Sequence, residues 1–85
     1  MNKLLVFSAS WCGPCKQMAP AVDELAQEYP GQVFKYDADV EVELRTRYKV
    51  QAVPTLVIVD EHGEEVRRTL GAMPKHALEK FLLNE

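Results

Sequence analysis

The chain has 85 residues, a hydrophobic fraction of 47% and a net charge of −3, from ten Lys and Arg against thirteen Asp and Glu. This length predicts a single domain over residues 1–85, and the apolar content excludes intrinsic disorder. With no basic cluster, nucleic acid is not an expected partner. The apolar run from Leu4 to Phe7 is too short for a signal-peptide core or a membrane span, so we expect a cytoplasmic protein with no membrane partner.

The first part of the chain predicts a β-α-β unit. Lys3–Ser8 contains a continuous apolar run, which is typical of a central strand. Apolar residues then recur at helical spacing over Cys12–Tyr29, and Pro30-Gly31 ends the helix. Val33–Ala38 alternates and predicts a second strand, parallel to the first.

A short helix is predicted next, over Val40–Tyr48, with Asp39 as a suitable N-cap. Opposite charges four residues apart on a helix can pair across one turn. Two such pairs are available: Glu41 with Arg45, and Glu43 with Arg47.

A hairpin and a last helix complete the order of elements. Thr55–Asp60 and Glu64–Leu70 predict antiparallel strands joined by a turn at residues 61–63. Pro74 suits the first turn of a final helix, whose apolar stripe consists of Ala77, Leu78, Phe81 and Leu82. The order β-α-β-α-β-β-α predicts an α/β fold, with helices on both faces of one mixed sheet of four strands.

Cys12 and Cys15 are the two cysteines of the chain. A bridge between them closes a loop too short to stabilise a fold strongly, so redox chemistry is the better interpretation. Cys12 falls at a helix N-terminus, where free N–H groups favour a thiolate, and we expect its pKa to be lowered. Cys12 would then attack a partner disulfide, and Cys15, one turn later, would resolve the mixed disulfide.

A zinc site is the alternative for this cysteine pair. It would need His62 and His76, whose spacing from each other and from the cysteines matches no standard ligand pattern. We therefore expect neither a metal nor a bound cofactor, since the electrons move through the thiols themselves.

The segment Phe7-Ser8-Ala9-Ser10-Trp11-Cys12-Gly13-Pro14-Cys15-Lys16 resembles the active-site stretch of the thioredoxin family. Met18-Ala19-Pro20, Val53-Pro54-Thr55, Gly63 and Gly71-Ala72 also fall where that family has them, so the resemblance covers nearly the whole chain. It implies the thioredoxin-like fold, with the strands in the order 33–38, 3–8, 55–60, 64–70. It also implies a protein dithiol–disulfide oxidoreductase with a cis peptide bond before Pro54.

The same resemblance implies a substrate-docking surface, consisting of Trp11, Gly13, Pro14, Val53, Pro54, Gly71 and Ala72. Its implied partners are protein disulfides and, as electron donor, a flavin- and NADPH-dependent thioredoxin reductase. We expect the protein to act as a monomer.

Two features depart from the family pattern. The family has a further strand and helix ahead of the strand that Lys3–Ser8 matches, and we expect this chain to lack them, which leaves Val33–Ala38 at the sheet edge. Val6 stands where thioredoxins bury an aspartate that is thought to help deprotonate the inner cysteine. We therefore expect water or the leaving group of the substrate to assist Cys15, and Lys35 to turn outward.

Two other functions fit the sequence less well. One is a glutaredoxin-like reductase that uses glutathione, against which Trp11 and the Gly13-Pro14 pair argue. The other is a binding subunit of a larger complex, in which an intact cysteine pair would be unnecessary.

Overall fold

The computed structural model describes residues 2–85, so that Met1, the first residue of the predicted domain, lies outside the described residues. Four strands form one sheet: β1 (Lys3–Ser8), β2 (Val33–Asp37), β3 (Thr55–Val59) and β4 (Glu65–Leu70). Their order is β2-β1-β3-β4, with β1 parallel to β2 and with antiparallel pairs elsewhere. The predicted strand order is confirmed. The two most apolar strands, β1 and β3, occupy the centre, where both faces are covered.

Three helices accompany the sheet: α1 (Gly13–Glu28), α2 (Val42–Arg47) and α3 (Lys75–Leu83). Side chains alternate across β1, so Leu4 and Val6 face one side while Leu5 and Phe7 face the other. α1 and α3 cover the first face through Met18, Val22, Leu25, Leu78 and Leu82. Within residues 2–85, no helix combines the length and the apolar character needed to cross a bilayer.

The second face of the sheet carries its own apolar cluster. Val57 and Val59 of β3 pack there with Tyr48, and Leu44 of α2 lies against this group. The phenol of Tyr48 donates a hydrogen bond to the carbonyl oxygen of Gly63 at 2.6 Å, which ties the end of α2 to the β3–β4 turn. Helices therefore lie on both faces of the sheet, as predicted.

The start of α2 differs from the prediction. Asp37 accepts the N–H groups of Val40 and Glu41 at its carbonyl, at 3.0 and 2.8 Å, and the N–H of Asp39 at its carboxylate, at 2.9 Å. These bonds form a turn that uses the residues expected in the first helical turn. The N-cap is consequently Glu41, and the prediction of Asp39 as N-cap is wrong.

Neither predicted ion pair on α2 forms among residues 2–85. Glu41 has φ −87° and ψ 66°, outside the helical region, so its side chain does not share a helix face with Arg45. Arg47 instead donates to the carbonyl oxygen of Gly63 at 3.2 Å. Arg45 is left without the expected partner.

The last helix also starts one residue later than predicted. Pro74 has an extended backbone, with φ −70° and ψ 166°, and is the N-cap of α3 rather than part of its first turn. Its carbonyl oxygen accepts the N–H groups of Ala77 and Leu78, each at 3.0 Å. Pro74 therefore still initiates the helix, because its carbonyl accepts the first helical hydrogen bonds.

Candidate active site

The two cysteines lie at the amino end of α1, directly after the loop that follows β1. Cys12 is the N-cap residue, with φ −90° and ψ 109°, and Pro14 occupies the first turn, where its missing N–H costs nothing. The N–H of Cys12 donates to the carbonyl oxygen of Ala9 at 3.1 Å, which closes the loop. Cys12 therefore lies at the end of the helix that carries the unpaired amide groups of the first turn.

Cys12 and Cys15 are joined by a disulfide, with their Cα atoms 5.3 Å apart. The N–H of Cys15 points at the sulfur of Cys12, at 3.2 Å. Each residue is 5% exposed, so solvent exposure does not distinguish the two. What distinguishes them is position, because Cys12 caps the helix and receives an amide hydrogen bond while Cys15 lies within the first turn.

An open surface cavity of about 210 Å³ borders Cys15. Its polar lining comes from Ser8 at the end of β1, Ser10 in the loop after it, Lys16 of α1 and Asp37 at the end of β2. Cys15 is therefore close to a space large enough for several water molecules. Val6, by contrast, is 2% exposed and belongs to the apolar cluster under α1.

Lys35, the neighbour of Val6 on β2, turns away from this cluster as predicted. Its amino group pairs with the carboxylate of Asp23 on α1 at 2.5 Å, and its side chain is 46% exposed. Within the described part of the chain, residues 2–85, no carboxylate is buried beside Val6 that would require the lysine to turn inward.

The loop before β3 lies against the cysteine pair. The Val53–Pro54 peptide bond is cis, as the resemblance implied, and the carbonyl oxygen of Val53 lies 3.8 Å from the sulfur of Cys12. Pro54 is buried, and its carbonyl oxygen accepts the N–H of Gly71 at 3.0 Å. Val53 thus reaches the reactive sulfur, while Pro54 links this loop to the segment after β4.

Trp11 is 69% exposed and stands beside the pair. Its indole N–H donates to the carboxylate of Asp39 at 2.9 Å. Sequence reasoning treated Asp39 only as a helix cap and missed this bond. A usable signal was present, because parallel β1 and β2 bring their carboxyl ends to the same sheet edge, so the residues following each strand lie close together.

The remaining expected docking residues fall in two places. Gly13 and Pro14 are exposed at the start of α1, and a Cβ atom added to Gly13 would meet nothing within 4 Å. Ala72 instead lines a separate groove with Gln17 and Met73. Trp11, Gly13, Pro14 and Val53 therefore surround Cys12, whereas Ala72 lies further along the surface.

Residues 2–85 contain no group of three His, Cys, Asp or Glu side chains placed so that they could bind a metal ion. His62 lies in the β3–β4 turn and His76 on α3, both exposed. Cys12 and Cys15, the two cysteines of the sequence, are bonded to each other.

Comparison with known proteins gives a consistent result. The family model described as "Thioredoxin" matches residues 1–84. The chain is 40% identical over 82 residues to the thioredoxin of Staphylococcus epidermidis, an alignment that covers 94% of this chain and 78% of that protein. It is 44% identical over 86 residues to the H-type thioredoxin of Fagopyrum esculentum, covering 98% of this chain and 73% of that one.

Solved structures agree with the sequence matches. The X-ray structure of Fasciola hepatica thioredoxin superposes with a TM-score of 0.86 and 37% identity, covering 98% of this chain and 79% of that one. The germline-specific thioredoxin Deadhead of Drosophila superposes with a TM-score of 0.84 and 36% identity, over 98% and 79% of the two chains.

Proposed function

This chain belongs to the thioredoxin family and is a thiol–disulfide oxidoreductase with a Cys12/Cys15 redox pair, and on that premise we propose that Cys12 attacks and Cys15 resolves. The observation that carries the assignment is the position of the Cys12 sulfur at the N-cap of α1, with the Cys15 N–H directed at it. Hydrogen bonds and the helix dipole favour the charged form of a sulfur in this position.

The first step uses the reduced protein. The thiolate of Cys12 attacks one sulfur of a partner disulfide, forming a new S–S bond as the partner's own S–S bond breaks. The second partner sulfur leaves as a thiolate and takes a proton from solvent. The N-cap position supports this role, because we expect it to lower the pKa of Cys12 and so to raise the thiolate fraction at neutral pH.

The second step releases the partner. The sulfur of Cys15 attacks that of Cys12, the mixed disulfide breaks, and the partner departs as a dithiol after gaining two electrons and two protons in all. The Cys12–Cys15 disulfide that results is the state of this structure. Because the position of Val6 offers no carboxylate, the proton of Cys15 passes to water in the adjoining cavity or to the departing partner thiolate.

The partner docks over the surface around Cys12. Trp11, Gly13 and Pro14 are exposed there, and Val53 presents backbone groups to an extended peptide in a strand-like contact. Pro54 supports this contact from a buried position. Gly71 and Ala72 extend the surface toward a longer partner.

Regeneration of the dithiol requires an electron donor. We assign this role to a flavin- and NADPH-dependent thioredoxin reductase, with protein disulfides as the substrates and with the monomer, one domain over residues 1–85, as the working unit. A reductant of this kind works in a reducing compartment, which favours the cytoplasm. Membership of the thioredoxin family supports the choice of thioredoxin reductase as donor and of protein disulfides as substrates.

Cysteine variants test the two roles. With an insulin disulfide as substrate, Cys12→Ser should abolish reduction, and Cys15→Ser should accumulate a covalent mixed disulfide through Cys12 that mass spectrometry detects. Reduced protein should also be alkylated at Cys12 faster than free cysteine at neutral pH. A mixed disulfide carried by Cys15 in the Cys12→Ser variant, but none by Cys12, would reverse the roles.

A coupled assay separates the electron donors. Reduction of insulin should be supported by thioredoxin reductase with NADPH and should be slow with glutathione and glutathione reductase. The opposite ranking would favour the glutaredoxin-like alternative. Biological activity that survives in both cysteine variants would favour a binding subunit.

A further inference from the structure

A groove opens beside the cysteine pair on the side of Trp11 and Val53. Both residues line it, and the carbonyl oxygen of Val53 also lies 3.8 Å from the sulfur of Cys12. The groove has a volume of about 70 Å³, which is room for a short side chain or a few water molecules. Part of its wall is apolar, formed by Ala38 and Val50. An extended peptide lying along Val53 would direct a side chain into this space, since alternate side chains of a strand point the same way.

Among residues 2–85, Arg45 is the one cation that lines this groove. It lies on α2, is half-buried and contributes to the wall of the groove. The carbonyl oxygen of Arg45 accepts the N–H of Val50 at 2.9 Å. This bond ties α2 to the loop that leads to Val53, so the backbone of Arg45 is held at a fixed place relative to that loop.

The other three arginines of the chain are all engaged in internal hydrogen bonds. Arg47 donates to a carbonyl in the β3–β4 turn, Arg67 to carbonyls at the end of α3, and Arg68 to Glu65 and to the carbonyl of Tyr48. The side chain of Arg45 has no hydrogen bond or ion pair with any residue in 2–85. Its five N–H donors are therefore free for a ligand in the groove.

Asp39 is the one anion in the groove and opposes any acidic ligand. Its carboxylate accepts the indole N–H of Trp11 at 2.9 Å. It forms no ion pair with Arg45. Asp39 therefore does not neutralise Arg45 by direct pairing, and a ligand carboxylate in direct contact with the guanidinium would lie closer to that cation than to Asp39. Because Coulomb energy falls with distance, attraction exceeds repulsion there.

We propose that this groove binds the carboxylate of an Asp or Glu side chain that flanks the target disulfide, with Arg45 as the residue that determines this preference. A guanidinium pairs well with a carboxylate because two parallel N–H donors match its two oxygens. The inference rests on the proposed function, because it names the class of substrate that the Cys12 site favours.

The test uses peptides with one disulfide each, in which the two positions on either side of the attacked cysteine carry Glu, Gln or Lys in turn. Single-turnover reduction by the reduced protein is followed by mass spectrometry. We expect at least one position at which Glu is preferred over Lys by about fivefold, the scale of a partly exposed ion pair. The preference should shrink as ionic strength rises from about 0.02 M to about 0.5 M, because salt screens exposed charges.

Variants at position 45 assign the effect. Arg45→Gln should remove the preference, and Arg45→Glu should reverse it in favour of Lys. The matched control is Arg47→Glu, which makes the same charge change two residues away on the same helix and outside the groove. Thermal melting of each variant establishes that it is folded.

The outcomes separate the inference from the proposed function. A wild-type protein that reduces every peptide equally, or a preference that survives in Arg45→Gln, would overturn the inference and leave the redox function intact. A preference that Arg47→Glu reverses as strongly as Arg45→Glu would reflect net charge alone and would also overturn it. Failure of the wild-type protein to reduce any peptide would overturn the redox function first.

Discussion

At the start of α1, Cys12 and Cys15 are equally buried, and the structure separates them by hydrogen bonding. Their place at a helix N-terminus could be predicted from the sequence, because the strand before them and the apolar helical pattern after them are local features. Their equal burial could not be predicted. It depends on Val53, which packs against Cys12 from a segment 41 residues further along the chain.

The residue at position 6 alone determines whether a carboxylate lies in the core near the site. In Val6→Asp, burial should raise the pKa of the new carboxyl above the usual value of an aspartate. Lys35 on the adjacent strand should partly oppose this shift. The new polar group should cost roughly 3 kcal/mol of stability. In single-turnover reduction of insulin, the variant should show a pH profile that differs from that of the wild-type protein, because Cys15 gains a titrating neighbour.

Val6→Asn is the control for this experiment, because it has nearly the shape of Asp and does not titrate. It should lose a comparable amount of stability in urea unfolding and keep the wild-type pH profile. Identical profiles for the wild-type protein and Val6→Asp, from acid to alkaline pH, would contradict the view that Cys15 now relies on water or on the leaving group.

At the scale of elements, β4 connects the sheet to two helices through neighbouring arginines. Arg67 lies opposite Ile58 and Arg68 opposite Val57, so the two side chains point to opposite faces of the sheet. Arg67 donates to the carbonyls of Phe81 and Leu82 at the end of α3. Arg68 reaches the other face and bonds the carbonyl of Tyr48 at the end of α2. These two contacts could not be predicted from the sequence, because nothing local indicates which helix ends lie above a strand.

Removal of the α3 contact gives a prediction at this scale. Arg67→Met keeps most of the apolar stem but removes the cation that binds the last carbonyls of α3. It also removes the contact of the guanidinium with the Phe81 ring, whose centroid lies 5.3 Å from the guanidinium carbon in the wild-type protein. We expect a loss of about 1–2 kcal/mol in urea unfolding. Arg67→Lys should recover part of it, because it restores the charge without the planar fork. An Arg67→Met variant as stable as the wild-type protein would show that water serves these carbonyls equally well.

α1 and α3 are joined by polar contacts at their edges as well as by the core. Lys75 pairs with Glu24 at 2.9 Å and with Glu28 at 2.5 Å, and the phenol of Tyr29 donates to Glu79 at 2.6 Å. The hydrogen bond to Glu79, followed by burial, raises the pKa of Tyr29 above its usual value of 10.0. Folding therefore favours the protonated phenol, and this contribution is present below about pH 10 and is lost as the pH rises through the folded-state pKa.

Tyr29→Phe should accordingly reduce stability most at neutral pH. The difference in melting temperature between the wild-type protein and the variant should narrow between about pH 8 and about pH 11, as the wild-type phenol ionises. Deprotonation of lysines affects both proteins and cancels in the difference. Glu79→Gln, which keeps an acceptor but removes the charge, should weaken the pH dependence. A difference that is constant across this range would rule out the Tyr29 proton as its source.

On the scale of the whole molecule, stability rests on two apolar clusters that share the sheet between them. Leu78 of α3 is 0% exposed and packs with Leu4 and Val22 in the cluster under α1 and α3. Leu83, five residues later on the same helix, is 41% exposed. A domain of this size has a small free energy of unfolding. Truncation of the buried Leu78 should therefore reduce stability far more than truncation of the exposed Leu83.

A leucine pair on α3 tests this directly. Leu78→Ala should cost about 2–5 kcal/mol, from lost burial and the cavity left behind, and should lower the melting temperature by many degrees. Leu83→Ala should change stability by less than about 0.5 kcal/mol. Denaturant unfolding of both variants measures the two free energies. Equal losses would contradict the orientation of α3 in which Leu78 is buried and Leu83 is exposed.

The order of elements, the fold, the redox pair and its place at the start of a helix were all determined by the sequence alone, because each depends on local periodicity or on a short motif. Only the tertiary structure decided the bond between Trp11 and Asp39, the unpartnered Arg45 in the groove and the opposite destinations of Arg67 and Arg68. These features join residues that are distant along the chain. They depend on strand register and helix placement, which the packing of the complete core sets.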